Sequence, residues 1–255
     1  MDLSLLQDPS FVIVACIAVL ITGIAKGGFG GMALLAVPLM SLVISPVQAA
    51  GIMLPIMIPM DIMSIWIYRK HWDINILKLM LPAACIGITI GWLSAGFFND
   101  DIIRLCVGTI AVVFILHRWR SILSTTTKEH KAINKPLGIF WGSCSGFTSF
   151  LAHAGAPPYQ VYVVPQKLDK QIYAGTSVIF FGIVNVIKLL PYGMLGQLSV
   201  PNLSVSLVLL PLVPVGVLLG SYINKRLNEQ LFYKILMTAI LIVGIKLIFD
   251  FIINQ

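Results

Sequence analysis

The chain has 255 residues, of which 58% are hydrophobic and only 11% charged, and its formal net charge is +7. Soluble domains carry roughly 25% charged residues. With a mean hydropathy of +0.95, the composition therefore excludes a soluble globular fold and predicts an all-α polytopic membrane protein. The basic residues are scattered between apolar spans and form no patch interleaved with aromatics, which excludes nucleic acid as a partner and leaves them as determinants of topology.

The N-terminal MDLSLLQDPSF has neither a basic stretch nor a small-residue cleavage site, so no removable signal peptide is expected. Apolar segments then run over about 10–25, 31–44, 48–67, 77–97 and 102–117, and again over 136–150, 156–165, 172–190, 203–223 and 231–250. A spanning helix needs about 20 residues. The third, fourth, eighth, ninth and tenth segments meet that length and the fifth nearly does. The first and second, and the sixth and seventh, are too short, and each pair is expected to consist of half-helices that form either a re-entrant hairpin or strongly tilted short crossings.

The first hairpin is interrupted at GIAKGGFGGMALLAVP, where five glycines (23, 27, 28, 30 and 31) fall within nine residues around Lys26. Glycine lowers helix propensity where lipid demands unbroken backbone hydrogen bonds, so irregular backbone there must face protein or water. The second is interrupted at GFTSFLAHAGAPP, with His153 in place of the lysine and Pro157-Pro158 able to begin a helix but not to continue one.

The loops orient the chain. Arg69, Lys70, Lys78, Arg118, Arg120, Lys128, Lys131, Lys135, Lys167, Lys170, Lys225, Arg226 and Lys234, thirteen of the 17 Lys and Arg, fall in alternate connections. The positive-inside rule makes that side cytoplasmic, with both termini outside, in a multi-pass protein of the plasma membrane, the inner membrane of a bacterium. Corresponding helices of the two halves then run in opposite directions. Ala50-Gly51 aligns with Ala174-Gly175 and, at the same offset, Asp61 falls on Asn185; GITIG (87–91) and GVLLG (216–220) also correspond. The expected plan is two inverted repeats of about five helical segments, 1–117 and 136–255, each starting with a broken hairpin and joined by a cytoplasmic linker over 118–135. In such plans the site lies where the broken helices meet.

At GIAKGGFGGMALLAVPLM and GFTSFLAHAGAPPYQVYVVPQ, with the AG that opens each following helix, the chain resembles the sulfite exporter TauE/SafE family of membrane permeases over about 11–250. The resemblance implies export of small anions, chiefly sulfur-containing ones such as sulfite or organosulfonates. The second break departs from a full Gly-Gly run.

The residues themselves support an anion site. An ionised lysine within a span costs roughly 2.5 to 3.5 kcal/mol, which calls for a wet cavity or a partner. Lys26 can anchor an anion; the alternative is a lysine snorkelling from a shallow hairpin tip. Gly27, Gly28, Gly30 and Gly31 can present a nest of N–H groups, or only let helices pack closely. His153 can line the path or relay a proton, or merely bond a carbonyl to close its hairpin. Gly155 and Pro157 fix that backbone, while Ser143, Ser145, Thr148, Ser149, Tyr159 and Gln160 offer donors. Asp61, with Asn185 as its repeat mate, can pair with Lys26 or carry a coupling proton. Lys188 is expected to snorkel outward, Lys246 to pair with Asp250, and Arg104 with Asp100 or Asp101.

The expected function is a secondary active transporter exporting a small anion by alternating access, with a proton or sodium as coupling ion. The alternatives are an anion channel and a membrane-embedded structural or enzymatic subunit. No Walker, HExxH or GxSxG motif and no pair of carboxylates occurs in the spans, so neither enzymatic activity nor a cofactor is expected. Cys16, Cys85, Cys106 and Cys144 lack metal-ligand spacing, and no metal is expected.

Overall fold

Pro9 opens the first helix, and Asp8 caps it by accepting the Ser10 N–H at 2.9 Å. The computed structural model describes residues 4–27, 32–97, 99–123, 134–226 and 229–253, and these are entirely helical or connecting backbone. The helices are α1 (Pro9–Lys26), α2 (Ala36–Met40), α3 (Pro46–Tyr68), α4 (Ile74–Ser94), α5 (Asp100–Leu123), α6 (Lys135–Ala152), α7 (Ala156–Val163), α8 (Lys170–Met194), α9 (Val200–Leu209), α10 (Leu212–Arg226) and α11 (Glu229–Ile253). α1, α3, α8 and the stretch Ile74–Phe97 are long and apolar enough to cross a membrane, and α9 with α10 passes as one bent span.

Three expectations change. α1 is an 18-residue helix of spanning length rather than a half-helix, because Gly23 does not interrupt it. The roughly 1 kcal/mol cost of a helical glycine is small beside the packing it permits here. A Cβ on Gly23 would lie 2.8 Å from the Cα of Gly216, so the two helix backbones touch. The short limbs are α2 and α7, which follow the breaks. The segment expected over 203–223 is bent by 48° between α9 and α10. Pro211 sits at the bend, where it lacks the N–H that would continue the ladder. Finally, α5 continues to Leu123, past the end expected at 117.

α3 is the centre of the bundle. Apart from Gln48, Asp61 and Ser64 its residues are apolar, and Ile52, Met53, Leu54, Ile56, Met57 and Met60 are all buried. α8 packs along it, α1 pairs with α10, α4 with α6, and α5 with α11. Glycines seat these contacts: a Cβ on Gly146 would lie 2.1 Å from the Ala84 carbonyl of α4, and one on Gly220 would lie 2.3 Å from the Ile24 carbonyl of α1. GITIG and GVLLG thus pack helices within one chain. The outer surface carries large exposed apolar side chains, among them Trp66, Leu93, Phe97, Leu190 and Leu218. A surface of that kind suits hydrocarbon rather than water.

Candidate functional site

Both chain breaks border a cavity of about 60 Å³ whose polar wall is Lys26, Asp61, Ser149, His153, Ser177 and Asn185. A water needs roughly 10 to 15 Å³ by this measure, so the space suits a few waters or one small solute. Met57 and Phe181 supply apolar wall, and the cavity reaches Tyr68 and Ala174, next to the basic stretches at Arg69-Lys70 and Lys167–Lys170.

The first break contributes an ion pair. α1 ends at Lys26, whose ammonium bonds the Asp61 carboxylate of α3. The other carboxylate oxygen accepts the Asn185 side-chain N–H of α8 at 2.7 Å, so three helices meet on one carboxylate. The Ser64 hydroxyl, one turn beyond Asp61, has a single hydrogen to share between the Met60 carbonyl of its own helix at 2.8 Å and the Lys26 carbonyl at the broken helix end at 3.1 Å.

The second break is closed differently. His153 takes the left-handed conformation, φ 53° and ψ 24°, at the end of α6. Glycine is the usual residue for that turn; here it lets the N–H groups of His153 and Ala154 bond the carbonyls of Ser149 and Thr148. The imidazole Nε2 lies 3.0 Å from the Ala50 carbonyl of α3, and Nδ1 lies 2.6 Å from the Lys188 ammonium. A carbonyl can only accept, so Nε2 carries the hydrogen and Nδ1 accepts from Lys188. The ring is neutral in this arrangement.

Lys188 is fully buried, and it also donates to the Ser149 carbonyl at 2.9 Å and the Ser149 hydroxyl at 3.1 Å. The expected outward snorkel is therefore corrected. Lys188 falls one turn beyond Asn185 on the inward stripe Ala174, Ser177, Phe181, Asn185, so the helix turns it toward the break rather than toward lipid.

Of the residues singled out in the sequence, Lys26, Asp61, Ser149, His153 and Asn185 share the cavity. Gly27 does not line it: its N–H bonds the Gly23 carbonyl at 2.9 Å, and a Cβ there would lie 2.4 Å from the Val217 carbonyl, so it serves helix packing. Gly28, Gly30 and Gly31 lie outside the described residues. Gly155 caps α7, and its carbonyl accepts the Ser145 hydroxyl at 2.7 Å; Pro157 opens α7. Both lie behind the cavity wall. Tyr159 is fully buried behind Ser177, whose hydroxyl lies 3.2 Å from the phenol oxygen, and half-buried Gln160 is not part of the lining. Ser145 and Thr148 spend their hydroxyls on backbone carbonyls, as hydroxyls in apolar helices commonly do, and of the four expected donors on α6 only Ser149 reaches the cavity. Lys246 pairs with Asp250 at 2.8 Å on the surface; the Arg104 side chain lies outside the description.

Sequence reasoning missed Ser64, Ser177 and Tyr192. Ser64 and Ser177 share helical faces with Asp61 and Asn185, a spacing signal that was available. Tyr192, which donates to the Phe150 carbonyl at 2.6 Å, continues the same stripe two turns beyond Asn185, so the spacing signal was available for it too.

A second cavity, of about 250 Å³, touches Val47, Ala50, Ile103, Phe150, Leu195 and Gln197. Along α3 it meets the first turns, whereas the first cavity begins at Met57; along α8 it lies beyond the helix end, whereas the first stops at Asn185. The layer between them holds His153, Lys188, Tyr192 and Phe150.

An apolar helical bundle with two interrupted helices facing a charged cavity fits the class of helical membrane transporters. The chain belongs to the sulfite exporter family: the model of "Sulfite exporter TauE/SafE" matches residues 15–247. Neither the curated proteins nor the solved structures compared with the chain include a match.

Proposed function

We propose that this chain is a secondary active permease that exports a small anion, such as sulfite, an organosulfonate or a related sulfur-containing anion, by alternating access. The observation that carries the reading is the cavity where both breaks meet, with the side chains of two lysines, Lys26 and Lys188, in or behind its wall against one carboxylate. Its extension to Tyr68 and Ala174 supports a state open toward the basic loops, which the positive-inside rule makes the cytoplasmic side of the inner membrane. The layer of His153, Lys188, Tyr192 and Phe150 is then the closed gate, and the second cavity the vestibule on the far side.

Two inverted repeats with a boundary in 118–135 are supported by matched contacts. Gly51 of the first half approaches the Gln197 carbonyl of the second, while its counterpart Gly175 approaches the His71 carbonyl of the first, and Asp61 meets its own counterpart Asn185. Lys26 and Asn185 are the groups that would hold the anion. Asp61 is the carboxylate on which a coupling proton or sodium would ride, once Lys26 releases it. Both His153 ring nitrogens are engaged, so a proton relay through it requires Lys188 to leave first.

The test is flux in proteoliposomes. Saturable anion flux that depends on a proton or sodium gradient supports the permease, whereas current with no coupling ion supports the channel. Lys26→Met with Asp61→Asn, which removes both charges together, is expected to stay folded and carry no anion; normal flux in that variant removes the pair from the site. Unchanged pH dependence after Asp61→Asn and His153→Ala rejects proton relay.

A further inference from the structure

Lys188 poses a charge problem that the anion pathway alone does not absorb. It is buried to 0% exposure, and its three hydrogen-bond acceptors, the Ser149 carbonyl, the Ser149 hydroxyl and His153 Nδ1, are all neutral. An ammonium has three N–H donors, and these three acceptors use them all. No carboxylate contacts it among the described residues. The nearby carboxylate, Asp61, is already bonded by Lys26 and Asn185. Lys26 and Asp61 cancel, and His153 is neutral because its Nδ1 accepts from Lys188 while its Nε2 donates to the Ala50 carbonyl. With Lys188 protonated, the centre carries one positive charge and no counter-ion, an arrangement that burial makes costly and that a negatively charged solute would relieve.

The groups that hold Lys188 face the cavity: Ser149 and His153 both line it. Because the Ser149 hydroxyl oxygen accepts from Lys188, its own hydrogen is directed elsewhere, and the cavity is the open direction. A negatively charged solute resting there would accept from Ser149 while lying one group away from the ammonium. A neutral solute leaves the positive charge uncompensated; a dianion overshoots it.

We infer that the cavity binds a monoanion, and that Lys188, acting through Ser149 and His153, is the positioning residue that sets the charge of the solute. This rests on the anion-permease reading and concerns the state with the Lys26–Asp61 pair closed and the solute on Ser149, before Lys26 is released to hold the anion; it narrows that state to one negative charge per site. Lys188 touches the solute only through its neighbours, so its effect is on charge preference rather than on shape.

Three tetrahedral sulfur compounds of similar size separate charge from shape: dimethyl sulfone (neutral), methanesulfonate (one negative charge) and sulfate (two). Binding of each to the purified full-length chain at about pH 8 is measured by titration calorimetry for the unmodified protein, Lys188→Arg and Lys188→Gln. The unmodified protein is expected to bind methanesulfonate at least about tenfold more tightly than either other compound, a difference of about 1.4 kcal/mol. Lys188→Arg keeps that order. Lys188→Gln loses the tenfold preference while binding dimethyl sulfone at least as well as before, a result that a merely structural lysine would not give. Tighter binding of sulfate than of methanesulfonate by the unmodified protein overturns the inference and leaves the permease reading standing, as does an unchanged preference in Lys188→Gln. Binding of none of the three compounds overturns both. Should Lys188→Gln fail to fold, the order of the three compounds on the unmodified protein decides the matter by itself.

Discussion

The two breaks solve the same backbone problem with opposite placements of charge. At the first, the cation stands on the broken helix itself, Lys26, and the neighbouring helix α3 supplies its carboxylate, Asp61. At the second, the broken helix ends in a neutral side chain, His153, and the neighbouring helix α8 supplies a cation, Lys188, with no carboxylate to meet it. One half is thus electrically closed and the other open. A buried pair is stable as a unit because each charge replaces the other's water, whereas a lone buried cation must borrow dipoles from hydroxyls and carbonyls.

Breaking the closed half should have the largest effect. Lys26→Met alone strands Asp61, and a loss of about 3 to 5 kcal/mol is expected, read as a drop in thermal or denaturant stability in detergent. Adding Asp61→Asn should recover most of it without restoring flux. Failure of the double variant to recover would mean that the pair is not what holds α1 to α3.

In the open half the effects are smaller. Tyr192→Phe removes the donor to the buried Phe150 carbonyl and should cost about 1 to 3 kcal/mol. His153→Gly sharpens the comparison in the other direction. The left-handed conformation at a non-glycine residue costs on the order of 1 to 3 kcal/mol, which glycine relieves and alanine does not. His153→Gly should therefore be more stable than His153→Ala, with both losing the hydrogen bond to Ala50; equal stabilities would show that the turn relaxes. Far from both breaks, Lys246→Ala should change stability by no more than about 0.5 kcal/mol, since its pair with Asp250 is exposed.

Much of the centre was legible because its signals are local. Glycine clusters, a charge inside an apolar run, and Asp61 and Asn185 at one offset are all visible in the string of residues. What was not legible depended on neighbours far along the chain. α1 reads as too short because glycine looks like a breaker, yet Gly23 is where a second backbone rests. Lys188 reads as a surface anchor because it is near a helix end, yet the face it shares with Asn185 turns it inward. The hydroxyls of Ser145 and Thr148 read as ligands until their carbonyl partners are seen. In each case a one-dimensional cue gives the polarity of a residue but not the direction in which its helix face looks.

The glycine contacts have a mechanical corollary. Where α1 meets α10 at Gly23 and Gly216, and α4 meets α6 at Gly146 and Ala84, main chains lie so near that neither rod can roll or slide on its mate without atoms colliding. Each interrupted helix is thus riveted to a companion, and large shape changes are confined to the seams that side chains, rather than backbones, fill.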